Sequence, residues 1–225
     1  MKAILCLAAS AIALAGCSYS SHGSAENRSF ERAGIVAAGD LNASGNADYA
    51  GVFVDAGGVI DRDLTLSGAN VVSDASVGGN LEIEGARIRF TGRVNGDAEI
   101  TGATMYLDGY FGGRLEVLGA RATIDGDILG ALDAMGARFN LEGRFAQPVH
   151  VVGSRGDNGN GRNGRVVISG NLEQGGYICA TQVDFRAGAS ASGPLVVVAE
   201  NRPDWDGDIN YLPLNGRDCE DVARG

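Results

Sequence analysis

The sequence is poor in aromatic residues, histidine and positive charge, and these shortages bear on its function. Aromatic residues make up 6% of the 225 residues, and there are 2 histidines and 4 prolines. The formal net charge is −10, which argues against nucleic-acid binding because phosphate recognition needs a basic face. The same charge weakens electrostatic attraction to anionic lipid. What the chain has in excess is glycine, with 36 residues.

Glycine recurs with a period of 17 residues between positions 79 and 145, where four segments of similar sequence lie end to end. Within each segment apolar and polar residues alternate, which is the side-chain period of a β-strand. A fixed period of this kind is typical of a solenoid, in which each turn packs against its neighbours. The pattern predicts an all-β fold, a single-stranded parallel β-helix with three sides and about 17 residues per turn. Three columns of glycine mark its bends: Gly79, Gly96, Gly113 and Gly130; Gly85, Gly102, Gly119 and Gly136; Gly92, Gly109, Gly126 and Gly143.

The repeat and the sequences on either side of it predict four regions. We expect a signal peptide at 1–16 and a lipidated tether at 17–27, from the N-terminal motif described below, then the β-helix at 28–200 and an irregular C-terminal cap at 201–225. Glycine and asparagine dominate residues 156–164. This segment is predicted to be a loop inserted between strands, because nothing in it can pack a core.

The N-terminus carries the pattern of an exported protein. Lys2 precedes an apolar run at 3–14, which is too short to span a bilayer comfortably and is typical of a signal peptide. The run ends in Leu14-Ala15-Gly16-Cys17, which resembles the lipobox of bacterial lipoproteins. This resemblance implies lipidation of Cys17, cleavage before it and stable anchoring, and Ser18 favours the periplasmic side of the outer membrane over the inner membrane. The alternative is an ordinary secretory signal that contains a cysteine by chance.

Two cysteines remain when Cys6 leaves with the signal peptide and Cys17 is lipidated. In an exported chain an even remainder suggests a disulfide, here between Cys179 and Cys219, with two free thiols as the alternative. Such a bond would fold the C-terminal cap back across the last turns. An open β-helix end is an unpaired strand edge, so a cover at this place is expected to oppose end-to-end stacking.

The clearest surface feature is a column of acidic residues at one outward position of successive turns. Neighbouring strands lie ~4.8 Å apart, so stacked carboxylates would repel one another unless cations or arginines intervene. Two interpretations stay open: a face that binds divalent cations or a basic partner, and a solvated face that only favours solubility. The column consists of Glu82, Glu99, Glu116 and Asp133.

No nucleophile, metal-ligand cluster, cofactor motif or acid–base pair is evident in the sequence. His150 stands alone in the predicted β-helix, and a lone histidine is usually structural. We therefore predict no catalytic residue, no bound metal and no cofactor.

The repeat can be written G-x-L/A-x-I/V-x-G-A, and in this form it resembles the bactofilins, the polymer-forming cytoskeletal family of bacteria. The resemblance covers roughly residues 45–145 and resumes at 170–198. It implies a three-sided parallel β-helix that assembles end to end without nucleotide. The lipobox, the insertion and the capped C-terminal end depart from the family's pattern.

These features favour a non-enzymatic, lipid-anchored β-helix of the cell envelope that acts as a scaffold or interaction surface. Its expected partners are the membrane, through the anchor, and an envelope protein or a glycan, but not nucleic acid. An adhesin-like or glycan-binding envelope protein is the first competing hypothesis, and a polysaccharide-active β-helix enzyme is the second. Self-association stays open.

The lipid anchor is testable with Cys17→Ala in the full-length chain. Without the thiol the chain cannot be acylated, so we expect the variant to be unprocessed or soluble while the wild type partitions into detergent. Detergent-phase partition and intact-protein mass spectrometry measure this difference. Identical partition of the two proteins would contradict lipidation.

Overall fold

The protein folds as a β-solenoid of about ten turns. The computed structural model describes residues 29–153, 164–215 and 217–219. The predicted signal peptide and tether, with Cys17, lie outside the described residues, as does all of the predicted insertion except Gly164. Among the residues described, none belongs to a helix long and apolar enough to cross a membrane.

The described strands form one continuous parallel sheet that coils on itself, so the predicted all-β parallel solenoid with about 17 residues per turn is confirmed. In chain order the strands are β1 Phe30–Ala43, β2 Ala47–Ile60, β3 Leu64–Ser73, β4 Ser76–Val77, β5 Leu81–Phe90, β6 Arg93–Val94, β7 Ala98–Phe111, β8 Leu115–Ile128, β9 Leu132–Leu141, β10 Arg144–Phe145, β11 Val149–Gly153, β12 Arg165–Ile168, β13 Asn171–Leu172, β14 Gly176–Cys179, β15 Gln182–Phe185, β16 Ser190–Ala191, β17 Leu195–Ala199 and β18 Asn210–Pro213.

In every regular turn, all three sides contribute buried side chains to the core. In the fourth turn the first side buries Leu81 and Ile83, the second side buries Ile88 and Phe90, and the third buries Val94. Each pairs with the residue 17 positions later in the next turn. Full burial of such a side chain contributes about 1.5–3 kcal/mol, so the alternation that the sequence shows is the main source of stability.

The glycine between the first and second sides is required because backbones approach closely there. A Cβ added at Gly102 would lie 2.6 Å from the carbonyl oxygen of Gly85, one turn earlier. In this column a side chain is excluded because there is no space for it between the two backbones. In the third column, Gly126 has in addition a φ of 139°, at which a side chain would strain the backbone. Close approach of backbone atoms therefore explains all three predicted glycine columns, and a positive φ adds a second cause at Gly126.

The insertion falls at the same kind of bend. Gly153 pairs with Gly136, and Arg165 pairs with Arg138. Only Ala137 separates the residues of the earlier turn, whereas eleven residues separate Gly153 from Arg165. The register is therefore the same on both sides of the insertion, which interrupts a corner and not a side.

The C-terminal cap differs from the predicted irregular segment, because β18 pairs in parallel with β17. A four-residue strand that ends in Pro213 is too short to show a period in the sequence. Before it, Trp205 stacks on Phe185 with 4.2 Å between ring centroids, and Ile209 is buried in the same core. The chain leading to β18 thus covers the interior of the last turns.

The predicted disulfide between Cys179 and Cys219 is present, with 5.6 Å between the Cα atoms. Cys179 belongs to an outward column of the first side, paired with Val152 and Val198. Together with Leu214 these residues form a second buried cluster, separate from the core. The bond therefore holds the end of the cap against the outside of the first side, where Val152, Cys179 and Val198 lie in successive turns.

The N-terminal end is closed by an inward-facing charge. Arg32 occupies the interior column of Tyr49 and Leu66. Its Nη1 atom lies 2.9 Å from the position of a Cβ on Gly39, so the guanidinium crosses from the first side to the second. Beneath it, the Tyr49 hydroxyl donates a hydrogen bond to the Gly39 carbonyl at 3.3 Å. Burial raises the pKa of Tyr49, and the charge of Arg32 opposes that rise.

Replacing Arg32 with leucine should turn this end into an apolar platform beside an unpaired strand edge. We expect Arg32→Leu, in the Cys17→Ala chain, to form larger species as concentration rises, because a second chain no longer buries a charge on docking. Sedimentation velocity measures the change. Arg87→Leu removes the same charge from an exposed outward position, and equal association of the two variants would refute the closing role of Arg32.

Candidate functional site

The predicted acidic column lies on the outside of the first side, and the structure brings its four members together. Glu82 pairs with Glu99, Glu99 with Glu116, and Glu116 with Asp133. We call these four residues the acidic ladder. Paired strands are ~4.8 Å apart, so each carboxylate has another within a few ångströms along the solenoid.

The two halves of the acidic ladder differ in electrostatic environment. Arg114 Nε lies 2.9 Å from Asp133 Oδ2, and its Nη2 lies 3.8 Å from Glu116 Oε2. Within the ranges that the structure describes, Glu82 and Glu99 form no ion pair. Uncompensated negative charge is therefore concentrated at the N-terminal half of the ladder.

A second ladder, not predicted from the sequence, runs along the neighbouring corner. Asp63 Oδ1 accepts a hydrogen bond from the backbone N–H of Asn80 at 2.8 Å, and Asn80 Oδ1 accepts one from Asp97 at 2.9 Å. Asp97 Oδ1 in turn accepts from the N–H of Arg114 at 2.8 Å. The sequence pattern that could have predicted this ladder is Asn or Asp at 17-residue steps from Asn46. The role of the ladder is to satisfy backbone N–H donors where the chain turns between strands.

An open groove with a volume of about 530 Å³ lies between the two ladders. Five carboxylates and one guanidinium line it, so it favours positively charged groups. In the part of the chain that the structure describes, no group of three or more His, Cys, Asp or Glu side chains is placed to hold a metal ion. The charges along the groove offer distributed electrostatic attraction to cationic groups. The charged residues along it are Asp63, Glu82, Asp97, Glu99, Arg114 and Glu116.

At its C-terminal end the acidic ladder continues into His150 and Tyr177. His150 Nδ1 lies 3.3 Å from Asp133 Oδ1, and the half-exposed imidazole stacks on Tyr177 with 5.4 Å between ring centroids. The Tyr177 hydroxyl is buried without a hydrogen-bond partner among the described residues, and burial raises the pKa of Tyr177. The sequence suggests that His150 is isolated, but the structure places it beside Asp133 and Tyr177. The signal that could have shown this is its spacing of 17 residues from Asp133.

Comparisons with family models, with curated proteins and with solved structures found no match to this chain. The structure itself shows a parallel β-solenoid. The likeness to bactofilins and the lipoprotein signal therefore depend on the repeat and the N-terminal motif of this sequence alone.

Two substitutions in the acidic ladder should change stability in opposite directions. Glu99→Gln relieves repulsion from carboxylates on both sides, so we expect a higher melting temperature at low salt. Asp133→Asn removes the ion pair with Arg114, so we expect a lower one. Each effect should be about 0.5 kcal/mol, since both side chains are solvent-accessible.

Thermal unfolding followed by circular dichroism measures both variants at low and at high salt. Salt should shrink both differences, because exposed charges are screened. Shifts of the same sign at low salt would contradict this description of the ladder.

Proposed function

We propose that the protein is a non-enzymatic, lipid-anchored β-solenoid of the cell envelope, held on the periplasmic side of the outer membrane, that acts as a scaffold or interaction surface. The acidic ladder carries this proposal. It repeats the same chemical group at equivalent positions of successive turns. A rigid row of equivalent groups suits an extended partner that makes many weak contacts, whereas a catalytic pocket gathers different groups at one place.

The negative charge of the acidic ladder favours a partner with positively charged groups. The carboxylates of Glu82 and Glu99, with no ion pair in the described part of the chain, attract positively charged groups along the groove. A basic segment of an envelope protein fits this surface, and so does a glycan that carries amino groups. The same charge disfavours nucleic acid, because phosphates would be repelled.

The ends of the solenoid support a monomer or a small closed assembly more than a filament. Arg32 puts a charge across the first turn, and Trp205 and β18 cover the last ones. A bactofilin-like, end-to-end polymer would need both ends to present bare strand edges. The bactofilin likeness in this proposal is therefore one of repeat and scaffold role.

Capture from envelope fractions tests the acidic ladder as the interaction face. Full-length wild type, cross-linked in cells, should retain partners that the combined variant Glu82→Gln, Glu99→Gln and Glu116→Gln loses. High salt should weaken the wild-type capture in the same way. Mass spectrometry of the captured material measures both effects.

The matched control removes equal charge from another outward column, with Asp108→Asn, Asp125→Asn and Glu142→Gln. It should capture the same partners as the wild type. If the ladder variant and the control behave alike, the acidic ladder is not the interaction face.

The cluster around His150 favours one alternative, a polysaccharide-active enzyme. Asp133 holds the half-exposed imidazole, and Arg114 lies next to Asp133. A pair of a histidine and a carboxylate can donate a proton to a bound sugar or accept one from it. Release of soluble product from envelope polysaccharide distinguishes this function from a scaffold.

A glycan-binding surface has weaker support in the aromatic residues. The outward Tyr106 and Tyr110 have the faces on which sugars commonly stack, but arginines lie over both rings. The guanidinium carbon of Arg89 is 5.0 Å from the Tyr106 centroid, and that of Arg93 is 3.7 Å from the Tyr110 centroid. A sugar would have to displace these contacts before stacking.

A further inference from the structure

Exposed apolar side chains are concentrated at the N-terminal end of the described solenoid. Six of eight lie between residues 35 and 72, within the first three turns. The remaining two lie far from them, in β9 and β18. In chain order the eight are Ile35, Val36, Val52, Phe53, Val59, Val72, Met135 and Leu212.

Four of these side chains form one patch, which we call the apolar corner: Ile35, Val36, Val52 and Phe53. Val36 pairs with Phe53 between the first two turns, and Ile35 and Val52 directly precede them. Their exposed fractions are 57%, 64%, 47% and 53% in chain order. The patch lies on the bend between the first and second sides, immediately after the glycine column.

The fold does not need apolar residues at this bend. In the next five turns the same two positions hold alanine followed by a polar or charged residue. The chain therefore completes its turns equally well without an apolar pair, and the first two turns are the exception. The later pairs are Ala69-Asn70, Ala86-Arg87, Ala103-Thr104, Ala120-Arg121 and Ala137-Arg138.

The apolar corner lies beside the point where the chain enters the solenoid. Eleven residues, 18–28, separate the proposed lipid anchor at Cys17 from the first described residue. Fully extended, they span at most about 40 Å. The solenoid itself extends for roughly 48 Å, with ten turns at ~4.8 Å each. With the proposed anchor at Cys17, the first turn therefore stays within about 40 Å of the bilayer, a limit that does not apply to the last turns.

We propose that the apolar corner docks into the interfacial region of the bilayer that carries the lipid anchor. This inference rests on the proposed lipidation of Cys17. The anchor supplies a high local concentration, so a patch too small to bind membranes alone is enough to orient a protein already held there. Ile, Val and Phe side chains gain by leaving water for the acyl boundary.

Nearby charges indicate which lipid surface the apolar corner accepts. The exposed carboxylates of the same two turns include Glu31, Asp48 and Asp55, while Arg32 points inward. An anionic headgroup layer would be repelled by these groups. The corner is therefore built for a zwitterionic lipid surface, and added salt should not release it.

Photolabelling from the acyl chains of phosphatidylcholine tests the docking. Full-length purified protein is reconstituted in phosphatidylcholine vesicles that contain a diazirine-bearing lipid, and mass spectrometry locates the adducts. We expect adducts in peptides from residues 30–43 and 47–60 at least several-fold above those containing Met135 or Leu212. The two latter residues are exposed by 44% and 46% and serve as internal controls.

Two variants complete the test. Val36→Ser with Phe53→Ser should reduce the labelling of both peptides to the level of the internal controls, while the protein still floats with the vesicles. Met135→Ser with Leu212→Ser should leave the labelling unchanged. Exposed serines keep the fold, which far-ultraviolet circular dichroism checks.

The outcomes separate the inference from the proposed anchor. Flotation of the wild type without labelling of the corner overturns the docking alone, as does labelling that the corner variant leaves unchanged. A lipid-free dimer of the Cys17→Ala chain that the corner variant abolishes assigns the corner to a second copy and also overturns the docking. A wild-type N-terminus that carries no acyl mass overturns the anchor itself.

Discussion

The hydrogen-bond ladder between successive turns, with its step of 17 residues through the turns before the insertion, is the constraint on which the rest of this structure depends. It runs through strands and corners alike, as in the bond from the Gly112 N–H to the Val94 carbonyl at 2.8 Å. A slip of one residue in any turn would exchange the buried and exposed side chains of that turn. Columns of like residues, inside and outside, follow from this step, and so do both ladders and the apolar corner.

The sequence predicted the features that repeat and missed those that occur once. Alternation and the glycine columns were enough to place Leu81 inside and Glu82 outside, because every turn repeats the same choice. Arg32 was missed because an arginine is expected to face outward, and only a terminal turn has room for its guanidinium. The short β18 was missed because a strand of four residues that ends in a proline is too short to show a period. The pairing of His150 with Asp133 could be predicted only from the register between turns. The 17-residue spacing gives that register, but a single histidine without a repeat partner does not draw attention to it.

At both ends of the solenoid the apolar interior has to be covered, and the two ends cover it with different residues. At the first turn a single guanidinium closes the interior, at the expense of holding a charge near apolar side chains. At the last turns an indole and a short strand cover the interior, while the disulfide-held cluster around Cys179 lies on the outside of the first side. In the part of the chain that the structure describes, neither end presents the repeating apolar cross-section of the middle turns, and this supports the proposed monomer or small closed assembly.

The insertion between Gly153 and Arg165 shows where such a molecule is free to change. Because the register resumes unchanged after it, the length of the chain at a bend is uncoupled from the geometry of the coil. Closing a longer loop costs only slightly more conformational entropy than closing a shorter one. Corners are thus positions at which evolution, or a protein engineer, can graft new peptide segments onto a surface of fixed spacing without rebuilding the core.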